Sequence, residues 1–225
     1  MGGLPAALLL LADSRLPAGG HAHSGGLAAA VAAGSVDDER TLGGFLSGRL
    51  HTAGLVGAAV AARTAALVST GPVAAGALAD LDAELDARTT SPAARDASRA
   101  QGRGLLRAAS AAWPSPVHAL LGGRPHLPCA QGAAAVAAGA GPDQAAALAA
   151  LSSVTGPASA AVRLLGLDPL GVTRLLARLA VDVDAVAEQG ARCADLVRPL
   201  PAASAPLLDQ LAQAHARADV RLFAS

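Results

Sequence analysis

The sequence predicts an all-α fold, a multi-helix bundle forming a single domain over residues 1–225, and three observations support this. Alanine and leucine, the strongest helix formers, dominate nearly every segment between glycine or proline breaks. Val172, Leu175, Leu176, Leu179, Val183 and Val186 advance by threes and fours, which lays one apolar stripe along a helix starting near Pro169. No segment alternates apolar and polar residues with period two between hairpin turns, and no fixed-period repeat occurs.

The elements follow in chain order. The apolar run Leu4 to Ala12 is preceded by no Lys or Arg and followed by Asp13, so it reads as a first buried helix and not as a signal core. Residues 13–26, DSRLPAGGHAHSGG, form a shaped turn, because glycines at 19, 20, 25 and 26 permit positive φ and close backbone approach. A short helix is expected over 25–33. Ser35 followed by Asp38 marks a capping box and places a helix over 36–50. Val73 to Ala87 is the next helix, and Thr89-Thr90-Ser91 is too short for anything but an antiparallel return. Ser91-Pro92 supplies an N-cap and a proline at the first helical position, giving a helix over 92–112. Further helices are expected over 128–139, 143–155 and 206–214. The proline- and glycine-bearing breaks between them are turns within one bundle.

Composition narrows the function classes. The chain is 52% hydrophobic and only 1% aromatic, so a core is affordable while base stacking is not. Seventeen basic residues, all Arg, balance seventeen acidic ones, which leaves no field for nucleic acid. The absence of Lys excludes a Schiff-base or P-loop lysine. Two cysteines, Cys129 and Cys193, make no disulfide framework and indicate a reducing, cytoplasmic setting. The long uncharged run Gln144 to Val162 is built of small residues and interrupted at Gly156-Pro157, so no membrane span is expected.

Several constellations carry possible chemistry. His21, His23 and Ser24 sit where the glycine turn presents them to a partner or ligand. His21-x-His23 offers two imidazoles to a transition metal, and His126 with Cys129 offers a second pair, yet neither reaches four ligands. A small helical metal-binding carrier is therefore one reading. Ser24 with a histidine base such as His51, His118, His126 or His215 is a remote serine-hydrolase reading that lacks the strand a nucleophile elbow needs. No phosphate-cradling loop, dinucleotide fingerprint or zincin motif occurs. Arg95, Arg99, Arg103 and Arg107 form a basic ridge that either Asp80, Asp82, Glu84 and Asp86 or a partner's acidic surface must neutralise. At the C-terminus, Leu222 and Phe223 either return to the core or enter a partner's groove, with Arg221 orienting the contact.

The segments LLLLADSRLPAGGHAHSGGL, RDASRAQGRGLLR, HLPCAQG, SAAVRL and the terminal APLLD…H…RLFAS together resemble the urease accessory protein F family (UreF). The resemblance is collinear and spans nearly the whole chain. It implies an all-α, non-catalytic chaperone, often a homodimer, that binds the D/H-type accessory protein and recruits and regulates the G-type GTPase. The complex, not the chain, then handles nickel on its way to apo-urease, and no intrinsic cofactor is implied. Carried over, the family's partner-contact residues fall on His21, His23, Ser24, His215, Arg221, Leu222 and Phe223. The sequence departs from the family pattern at His21, Ala28, Pro169 and Asp219.

Overall fold

Alanine-rich segments have little side-chain bulk and high helix propensity, so they coil and then pack at short range. In the computed structural model, which describes residues 6–218 together with Leu222 and Phe223, they do so as ten α-helices with no strand among the described residues. In order these are α1 Ala6–Ala12, α2 Leu27–Ala32, α3 Glu39–Arg49, α4 Leu55–Ser69, α5 Ala77–Arg88, α6 Pro92–Ala112, α7 Leu127–Ala137, α8 Pro142–Leu165, α9 Pro169–Ala191 and α10 Pro206–Ala216. Helix α4 is the axis, buried on nearly every face and packed by α7, α8 and α9. The largest apolar cluster joins α2, α3, α4, α8 and α9, and Leu211 of α10 and Phe223 complete it. A second lies beneath α1, α6 and α7, and a third joins α4 and α5 to Cys193 and Leu200.

The helix expected from Val73 starts only at Ala77, after Gly76 at φ +85°, and three other boundaries differ from the sequence expectation for local reasons. The cap of α3 is Asp38, not Ser35: its carboxylate accepts the Thr41 N–H at 2.7 Å, and Thr41 Oγ1 accepts the Asp38 N–H at 3.0 Å. Ser35 instead donates to the Ala30 carbonyl at 2.9 Å, closing α2. The helical path does not stop where α3 ends at Arg49, because a π-turn at Leu50–Gly54 carries it directly into α4. Helix α8 runs through Gly156-Pro157 to Leu165 instead of stopping at 155. A proline inside a helix forfeits one backbone bond, and here another part of the fold supplies a donor in its place.

The stretches Glu39–Ser69 and Pro142–Leu165 are long and apolar enough to cross a membrane, but more than half of each apolar window is buried inside the bundle. The basic ridge of α6 meets α5 as the first of the two expectations holds. Arg99 pairs with Asp82 at 2.7 Å and Asp86 at 2.8 Å, and Arg95 approaches Asp86 at 3.7 Å. Arg103 and Arg107 make no ion pair among the described residues, so only half of the ridge is neutralised in this way.

Candidate functional site

The two chain ends meet on one side of the bundle. After α1, Asp13 and Arg15 form a tight exposed pair at 2.6 Å, and the guanidinium holds the Asp13 carboxyl down at about 2. The chain then crosses α6 at Gly104, where the Ala18 carbonyl oxygen occupies the space that a Cβ would need. Beyond it lies the turn carrying His21, His23 and Ser24. His21 is exposed and His23 half-buried; burial, with His21 nearby, lowers the His23 imidazole below its ordinary value. Ser24 is fully buried, and its Oγ accepts the Ala28 N–H at 3.1 Å, so the hydroxyl sets the start of α2. It is not displayed to solvent as a nucleophile must be.

Arg163 of α8 joins this turn to the C-terminus. Its guanidinium donates to the His21 carbonyl at 2.9 Å and stacks over the Phe223 ring, 4.7 Å from the centroid. His215 Nε2 donates to the Phe223 carbonyl at 3.0 Å inside the fold. Phe223 is 6% exposed and belongs to the main core, whereas Leu222 is 82% exposed. The two alternatives for the terminal apolar pair are thus divided between the residues: one completes the core and the other faces outward. Arg221 and Asp219 lie outside the described residues. Between the turn, α6, α8 and α10 runs a cleft of about 1250 Å³ lined by His21, His23, Arg49, Arg163 and His215.

Three arginines, Arg49, Arg88 and Arg163, and three aspartates, Asp13, Asp96 and Asp209, line the cleft. Asp209 is occupied by the Thr90 hydroxyl at 2.6 Å and the Ser91 N–H at 3.0 Å. Arg49 and Arg163 have no carboxylate partner among the described residues. Arg49 is half-buried and lines the cleft, and burial pushes its guanidinium down to about 10.

The second metal candidate, His126 with Cys129, sits apart at the α5–α6–α7 junction. His126 Nε2 donates to Asp86 at 2.9 Å and Nδ1 accepts the Ser98 hydroxyl at 2.9 Å, so both ring nitrogens have protein partners. Burial lowers this imidazole despite Asp86, and burial lifts the Cys129 thiol to about 12, far from the thiolate a metal requires. Asp82, Asp86 and His126 are close enough together to hold an ion, but the Arg99 guanidinium already occupies the carboxylates. His21 and His23 remain as the only expected metal pair lining the cleft.

Residues 36–180 match the UreF family model. The chain is 49% identical over 219 residues to the urease accessory protein UreF of Mycobacterium sp. (strain JLS), covering 97% of each. Over 98% of each chain it is 48% identical to the protein of that name from Mycolicibacterium vanbaalenii and 45% to that from Mycobacterium tuberculosis H37Rv. The chain belongs to the UreF family of urease accessory proteins. It is an accessory protein and not an enzyme.

The segments that carry the UreF resemblance have identifiable structural duties. In RDASRAQGRGLLR, Arg99 and Ser98 serve the α5–α6–α7 network while Gly104 admits the N-terminal crossing. The histidine of HLPCAQG completes that network. The arginine of SAAVRL is Arg163, the link between the chain ends. Among the departures, Pro169 takes the first position of α9, where Asp168 caps Leu170 and Gly171 at 3.1 and 3.0 Å. Sequence reasoning missed Arg49, Arg163 and Pro157. Their signals were an arginine isolated in an apolar stretch and a proline within a helical run.

Proposed function

We propose that this UreF-family protein is a docking module in assembly of the urease nickel centre, and that its docking surface is the cleft where the two chain ends meet. The observation that carries this reading is the convergence of His21, His23, His215 and Phe223 around Arg163, since a surface built from both termini responds as one unit to a bound partner. The D/H-type accessory protein seats against this cleft and the outward Leu222, with Arg221 orienting the contact. The exposed Leu222, adjacent in the chain to the Phe223 ring under Arg163, gives a mixed apolar and charged anchor of the kind found at interface centres.

The resulting complex recruits and regulates the G-type GTPase and passes nickel to apo-urease in the cytoplasm, with the chain acting as a homodimer. Nickel is cargo of the assembly, and the chain carries no resident cofactor. His21 and His23 offer transient imidazole contacts at the mouth of the cleft, too few for a closed site.

The test is co-purification of the full chain with the D/H-type protein, followed by addition of the G-type GTPase and measurement of GTP hydrolysis and nickel content. A stable complex that changes the GTPase rate, with substoichiometric nickel on the isolated chain, is expected. Tight stoichiometric nickel on the chain alone, without complex formation, would replace this reading with that of a metal carrier.

A further inference from the structure

We propose that Arg49 is the positioning residue of the docking turn, and that Pro157 creates the vacancy it fills. In an α-helix the N–H of residue 157 would bond to the carbonyl of residue 153. Pro157 has no N–H, which strips Ser153 of that donor in the interior of α8. Arg49 Nε donates to this carbonyl at 2.9 Å. A second nitrogen, Nη1, donates to the Gly25 carbonyl at 2.8 Å, beside Ser24 in the turn.

The junction is sterically specified as well. Gly25 has φ +62°, and a Cβ there would stand 3.1 Å from the Arg49 guanidinium and 3.1 Å from the Pro157 ring. Turn, arginine and proline are therefore close together at a point where a side chain would be both crowded and strained. Arg49 ends α3 immediately before the π-turn Leu50–Gly54, which packs on α8, so two helical irregularities face each other around one guanidinium. π-turns recur at functional sites because they redirect backbone and side chains locally.

An ion-pair role does not account for this arginine, since its partners among the described residues are two backbone carbonyls. Taking a cation partly out of water is costly. Its charge-assisted bonds are spent on the acceptor left by Pro157 and on the turn. Arg163 holds the same turn from the other side, at the His21 carbonyl. The turn is clasped at both ends, and Arg49 supplies the clasp that does not depend on the C-terminal tail.

This inference rests on the reading of the turn as a docking surface, and the experiment separates the two. Amide hydrogen exchange is followed on the full-length wild type, Arg49→Gln, Arg49→Lys and Pro157→Ala, beside capture by immobilised D/H-type protein. In Arg49→Gln, exchange across residues 19–26 is expected to rise about ten- to hundredfold, the effect of losing charge-assisted bonds, while α4 and α7 stay protected. Arg49→Lys restores part of the protection, because a single ammonium does not reproduce the guanidinium fork. Pro157→Ala returns a helical donor to Ser153, and speeds exchange in the same turn without lowering the melting temperature. Unchanged exchange in the turn, or acceleration spread equally over α4 and α7, overturns the positioning role. Faster turn exchange with undiminished capture keeps the positioning role and overturns the docking reading beneath it.

Discussion

Phe223→Ala tests whether the C-terminal residue belongs to the fold or to a partner. The ring is 6% exposed within the main apolar cluster, lies beneath Arg163 at 4.7 Å, and its own carbonyl is held by His215. Returning a buried phenylalanine to water costs about 1.5–3 kcal/mol. The cation–π contact adds about 0.5–1 kcal/mol, the range for an exposed cation such as Arg163. A loss of about 3 kcal/mol in a chain of this size corresponds to a melting temperature lowered by roughly 6–12 °C. The assay is a thermal melt followed by circular dichroism, run beside capture by the D/H-type protein. Phe223→Ala should melt early and bind weakly together. Leu222→Asp, at a position 82% exposed, should melt like the wild type and still lose at least about tenfold in capture, the scale of one interface anchor. A Phe223→Ala variant melting within about 2 °C of wild type would refute the assignment of the ring to the core.

Three further outcomes are expected. His21→Ala combined with His23→Ala should lower the yield of active urease in a reconstituted maturation assay while shifting the melt by less than about 2 °C, since both side chains line the cleft and neither fills the core. Arg99→Met should cost about 2–3 kcal/mol in urea unfolding, discounted for partial exposure, because it leaves Asp82 and Asp86 facing each other; adding Asp82→Asn should recover part of the loss. Burial holds the His126, His118 and His23 imidazoles below their ordinary 6.5, so below that pH the unfolded chain binds more protons than the folded one. Stability is therefore full above about pH 6.5 and falls as the pH drops through the lowered folded values, and a urea midpoint series should show a shallower fall in His126→Gln.

The cap at Ser91-Pro92 and the stripe from Val172 to Val186 were legible because each is a local pattern within a few turns of helix. The pairing of Arg99 with the acidic face of α5 was legible because a three-residue return leaves the two helices no choice but to lie side by side. The cap of α3 was misassigned to Ser35, since Ser35 and Asp38 are both competent caps and the choice depends on Ser35 being drawn back to the Ala30 carbonyl. Ending a helix at Gly156-Pro157 failed because a distant arginine donates to the carbonyl that the proline leaves without its helical donor.

The sequence by itself determined that the protein is all-α, that it lacks the loops and lysines of nucleotide chemistry, and that its motifs are those of the UreF family. Helix propensity, apolar periodicity and motif spacing are properties of neighbouring residues and survive without coordinates. The tertiary structure decided that the glycine turn and the C-terminus form one surface, that Phe223 turns inward while Leu222 turns outward, and that Arg49 and Arg163 clasp the turn through its carbonyls. Those contacts join residues separated by 24 to 142 positions, across which no local pattern carries information. What selects them is the need of each buried donor and acceptor for a partner, and that need is met only when the helices have packed.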